Sequence, residues 1–68
     1  MELNIGNRIK EIREEKKIEA KTLSMLTGID AANLCRIEQG KQSAGIDVLS
    51  KIAKAMGYKI EFVELKKN

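Results

Sequence analysis

The chain has 68 residues, 13 basic and 10 acidic, with 43% apolar and 34% charged side chains, the mix of a single globular domain rather than a disordered segment. Histidine is absent and cysteine occurs once, at Cys35, which rules out an internal disulfide and a zinc finger and leaves hydrolytic chemistry without its commonest base. No apolar run approaches the ~20 residues that span a bilayer, and the N-terminus lacks the basic and apolar regions of a signal peptide. A reducing cytoplasm is the natural setting for such a chain. The net charge of +3 is compatible with a polyanionic partner but does not demand one, and residues 19–45 are neutral, with three basic and three acidic groups.

In chain order, the spacing of Ile5, Ile9 and Ile12 predicts a first helix over about Gly6 to Lys17, with Ile18 closing it. A second, short helix is expected from Ala20 to Thr27, buried on Leu23 and Leu26, and Gly28 ends it. Asp30 is a good N-cap for a third helix from Ala31 to Gln39, with Leu34 and Ile37 inward and Ala31, Ala32, Asn33 and Arg36 outward. After a polar link, Ile46, Leu49, Ile52, Ala53 and Met56 mark a fourth helix, which Gly57 terminates. Tyr58, Ile60 and Phe62 then alternate with Lys59 and Glu61, the period of a strand with one buried face. No other segment offers that strand a partner, so the expectation is antiparallel pairing with a second copy across a two-fold axis. Residues 1–57 are thus read as one domain, and residues 58–68 as a strand and tail that dimerise it.

The segment Ala20 to Gly40 places two short helices around a glycine-containing turn, the helix-turn-helix pattern. Gly28 takes the conformation that ends the first helix, Ile29 plugs the gap, and small Ser24 permits close approach, its hydroxyl expected to bond back one turn. Periodicity alone fits an ordinary helical hairpin equally well. Cys35 reads as a small, partly buried filler, and Met25 and Met56 as packing residues.

Gly6-x-x-Ile9-Lys10-x-Ile12-Arg13, Leu23-Ser24, Gly28-Ile29, Arg36-Ile37-Glu38-x-Gly40-Lys41 and Leu49-x-x-Ile52-Ala53-x-x-Met56-Gly57 together resemble the phage repressor and Cro-like (XRE-type) helix-turn-helix family over about residues 5–57. The resemblance implies a mainly α bundle of four or five helices that binds operator DNA as a homodimer, with the second helix of the motif in the major groove. Carried over, the base contacts are Ala31, Ala32, Asn33 and Arg36. Phosphate contacts fall to Lys21, Gln39, Lys41, Gln42 and Ser43 around that helix. Arg13 and Glu38 are implied to form a structural ion pair, and Tyr58, Ile60 and Phe62 stand as the dimer interface.

The departures are local. Glu19 and Ala20 replace the hydroxyl and glutamine usual in the family, and Ala44 replaces a proline. Direct hydrogen-bonded readout is left to Asn33, which suits adenine, and Arg36, which suits guanine. The reading is a transcriptional regulator that represses from an inverted-repeat operator, without cofactor, metal or small-molecule site. No effector domain is evident, and an antitoxin with a cognate toxin or other protein as second partner is a variant of the same reading. A protein-interaction module that has kept the fold and lost operator reading is the alternative, motivated by Glu19, Ala20 and the two alanines.

Overall fold

The computed structural model describes residues 4–61 and 64–65. Four helices follow one another: α1 (Ile5–Glu15), α2 (Ala20–Thr27), α3 (Ala31–Glu38) and α4 (Ile46–Ala55). α3 packs on both α1 and α2, and α2 packs on α4. The core joins Ile9 and Ile12 of α1, Leu23 of α2, Leu34 and Ile37 of α3, Ile52 of α4, and Met56 just beyond it. Leu23, Leu34 and Ile52 are fully buried.

α1 begins at Asn4, whose side chain accepts from the Asn7 amide at 3.0 Å, so one of the unpaired donors of the first turn is satisfied. Its end is an αL termination. The Ile18 amide bonds the Arg13 carbonyl at 2.9 Å and the Lys17 amide that of Glu14 at 3.0 Å, which is the Schellman pattern. α3 and α4 end with the same pair of bonds and have glycine, Gly40 and Gly57, at the αL position. α1 instead has Lys17 there, at φ 57°. A left-handed residue with a Cβ costs about 1–2 kcal/mol, and glycine returns part of that as unfolded-state entropy. Lys17→Gly is therefore expected to stabilise the domain by roughly 0.5–1 kcal/mol, read as a higher Tm in thermal melts followed by circular dichroism.

The buried face of α2 differs from the expected one. Leu26 is 61% exposed and Met25 77% exposed; the face that meets the other helices is formed by Leu23 and Thr27, with Ala20 and Ser24 half-buried beside them. These positions follow the i, i+3, i+4, i+7 stripe of a helix, and the small side chains of Ala20 and Ser24 flank the fully buried Leu23. Leu26 falls outside the stripe. Ile46 is likewise 58% exposed at the start of α4, and Ile5 lies at the open edge of the α1 stripe.

The expected C-terminal strand is not present among the described residues. The segment Tyr58–Glu61 has no regular structure, and Phe62 and Val63 lie outside the described residues. The reason is visible at its first residue: the Tyr58 amide bonds the Ala53 carbonyl at 2.8 Å, so it completes the termination of α4 rather than opening a ladder. A strand also needs a second strand, and none of the four helices supplies one. Lys16 adds a tie at this place, its ammonium donating to the Met56 carbonyl at 2.8 Å and standing 5.0 Å from the centre of the Tyr58 ring, a cation at the negative end of α4.

Candidate nucleic-acid interface

The connection between α2 and α3 is fixed residue by residue. Gly28 adopts φ 76°, a conformation that leaves a Cβ poorly placed. The Ser24 hydroxyl reaches forward and donates to the Ile29 carbonyl at 2.5 Å, not back along its own helix. Thr27, buried, does two things: its hydroxyl donates to the Leu23 carbonyl at 2.8 Å and accepts from the Ile29 amide at 3.2 Å. Both polar groups of Ile29 are thereby paired inside the turn. Asp30 then accepts from the Ala32 amide at 3.2 Å and caps α3. Thr27 escaped the sequence reading, although a hydroxyl at the last helical position before a glycine is a ready partner for turn amides.

The far end of α3 is held by α1. Arg13 Nε donates to Glu38 Oε2 at 2.8 Å and its NH2 to Oε1 at 3.2 Å, while NH1 donates to the Ile18 carbonyl at 3.0 Å. The side chains are 14% and 5% exposed. The hydrogen bond it donates to Glu38 holds the Arg13 guanidinium above its usual range, with burial opposing and the opposite charge adding to the rise. A raised arginine contributes stability that is complete below its unfolded range and lost only above it, so the arginine side of the pair is constant at every pH near neutrality. Gly6 lets the two helices meet: a Cβ there would run into the Ile37 carbonyl oxygen and lie 2.9 Å from that of Glu38. Gly6 is part of the family pattern, but its role as the contact point shows only in three dimensions.

α3 is thus clamped at both ends and turns one face outward. Ala31, Ala32, Cys35, Arg36 and Gln39 are exposed, and Asn33 is half-buried at the edge. At ~100° per residue, the five exposed positions form one continuous arc opposite Leu34 and Ile37. Cys35 belongs to that arc rather than to the interior. Arg36 NH1 donates to Asn33 Oδ1 at 2.6 Å, so the two polar readers expected from the sequence touch each other.

The residues expected at phosphates divide in two. Gln39, Gln42 and Ser43 line one polar notch of about 510 Å³ between the α3–α4 link and the start of α1, with Asn4 and Gly6 on its other wall. Lys41 is exposed in the same link, whereas Lys21 is exposed on α2, outside the notch. Glu19 opens α2 without a side-chain hydrogen bond to the helix. Of the residues expected at a dimer interface, Tyr58 and Ile60 line a second, apolar groove of about 230 Å³ with Ile12, Leu49 and Met56, and Phe62 lies outside the described residues.

A helix-turn-helix fold with an outward second helix defines a class of DNA-binding domains. Comparison with protein families agrees: the helix-turn-helix family model matches residues 9–63. The chain belongs to the phage repressor and Cro-like (XRE-type) helix-turn-helix family, whose members are DNA-binding transcriptional regulators. No curated protein and no solved structure gives a match. Among the described residues, no helix is long and apolar enough to cross a membrane.

Proposed function

We propose that the chain is a sequence-specific transcriptional repressor that binds an inverted-repeat operator as a homodimer, with α3 in the major groove. The observation that carries this reading is the outward arc of α3, in which Ala31, Ala32 and Cys35 lie beside Arg36. Small side chains let the helix approach the base edges closely, and Ala31 and Ala32 suit thymine methyl groups. The polar pair Asn33 and Arg36, joined by a hydrogen bond, is the source of hydrogen-bonded readout. Neutral donors at Gln39, Gln42 and Ser43 suit phosphate oxygens, with Lys21 and Lys41 as the cations. Two cations per subunit make for modest affinity and a salt slope of roughly −0.9 for each phosphate neutralised.

A dimer is supported by the apolar groove under Tyr58 and Ile60 and by the size of the chain, since domains this small lean on staples or partners. Two copies place their α3 helices at half-sites about 34 Å apart. Deleting residues 58–68 is expected to yield a monomer of lower stability; a truncated chain that sediments as a dimer would remove the segment from the interface.

The function is tested by incubating the protein with sheared genomic DNA at two salt concentrations and sequencing the bound fragments. The proposal expects a short inverted repeat that survives the higher salt and that Arg36→Ala fails to recover. Sequence-blind recovery lost at moderate salt would favour the second reading, a protein-interaction module. The uncapped Glu19 is the observation behind that reading, because its carboxylate stands at the helix end a phosphate would approach.

A further inference from the structure

Asn33 and Arg36 stand three residues apart on α3, joined by the 2.6 Å bond from Arg36 NH1 to Asn33 Oδ1. Chemistry fixes the orientation of the amide: a guanidinium has only donors, so its partner is the oxygen, and Nδ2 is left as the outer group. An asparagine that reads adenine uses both ends of its amide, oxygen toward N6 and nitrogen toward N7. Here the oxygen already accepts from a charged donor, the stronger kind of hydrogen bond, at 2.6 Å, so an adenine N6 would have to share an oxygen whose amide plane is set by Arg36. Asn33 is half-buried and Arg36 exposed, so the short side chain is the anchor and the long one is held. The remaining Arg36 N–H groups, including the adjacent Nε and NH2, have no hydrogen-bond partner among the described residues. Those two form the fork that matches guanine O6 and N7.

We infer that Asn33 and Arg36 act as one reader of guanine, with Asn33 as the positioning residue that holds the guanidinium ready, and not as separate readers of adenine and guanine. The inference rests on the proposed operator reading and assigns its specificity. Binding loses affinity when a flexible side chain must be ordered, and the clasp orders Arg36 before DNA arrives. Ala31, Ala32 and Cys35 are small, so Gln39 is the one other polar side chain with long reach on the arc.

The test compares base preferences of the full chain and three variants, selected from randomised duplexes: Asn33→Ala, Asn33→Asp and Arg36→Ala. Asn33→Ala and Arg36→Ala are expected to relax the same guanine position, about tenfold for the former and completely for the latter. Asn33→Asp keeps the acceptor oxygen and is expected to keep the guanine preference while weakening binding to all sequences. In the DNA-free protein, the Arg36 guanidinium 15N signals should be restrained in the parent chain and in Asn33→Asp, and averaged by free rotation in Asn33→Ala. The inference fails if Asn33→Ala relaxes a separate adenine position and leaves guanine intact, or if Arg36 rotates freely in the parent chain. A parent chain with no base preference anywhere would overturn the operator reading together with this one, an outcome distinct from both.

Discussion

Glu38→Ala is expected to destabilise the domain by about 3–5 kcal/mol, the cost of leaving the partner of a buried ion pair uncompensated. The Arg13 fork would keep its contact with the Ile18 carbonyl and lose both bonds to the carboxylate. A core this small supplies only about 3–5 kcal/mol in total, so the variant should be largely unfolded at 25 °C in urea titrations followed by circular dichroism. Replacing both partners by apolar side chains, Arg13→Met with Glu38→Leu, is expected to recover most of the loss, because no charge is then left buried. A loss below about 1 kcal/mol for the single variant would place the pair with solvated surface charges.

Gly6→Ala is the second large effect. Alanine is the better helix former by about 1 kcal/mol, and at an exposed helical site the change would stabilise. At position 6 the new methyl group meets backbone, the Ile37 and Glu38 carbonyls, which cannot rotate away as a side chain can. α1 must lift from the end of α3, and overpacking of this kind costs about 1–3 kcal/mol or more. The net expectation is a loss of about 2 kcal/mol, or a Tm lowered by roughly 10 °C for a domain of this size. DNA affinity should fall beyond what the folded fraction explains, because Gly6 also walls the notch that holds Gln39, Gln42 and Ser43. An unchanged Tm would mean that α1 and α3 are less tightly joined than this contact implies.

Helices were legible in the sequence wherever a periodic apolar residue and a stop signal coincided. α2 runs from Ala20 to Thr27 as the spacing and Gly28 predict, and α3 starts at Ala31 behind Asp30. α1 stops at Glu15, short of Lys17, because the stop is a lysine in the left-handed region, and lysine carries no turn signal. Hydrophobicity alone favours Leu26 over Thr27 for the buried face of α2. In the fold, a hydroxyl that satisfies both the Leu23 carbonyl and the Ile29 amide is the group that goes inside. The alternation of Tyr58, Ile60 and Phe62 is real as a pattern, but a strand is a property of pairs of segments, and a single chain cannot reveal its partner.

At the candidate interface, the positions on α3 followed from helical periodicity and the family resemblance. The relation between them did not. The sequence points to Asn33 and Arg36 as two separate base contacts, and the clasp between them depends on side-chain geometry that spacing only permits. Size and apolar character suggest a partly buried filler at Cys35, whereas the arc between Ala31 and Gln39 takes it outward.

In the proposed complex the outer face of α3 and the link after it meet DNA. Amide and side-chain chemical shifts of the 15N-labelled protein, followed while a recovered DNA fragment is titrated in, address it most directly. Shifts are expected at Lys21, at Ala31 to Arg36 and at Gln39 to Ser43, with the groove under Tyr58 and Ile60 unaffected at constant oligomeric state. Shifts confined to that groove, with α3 unmoved, would contradict the proposed complex.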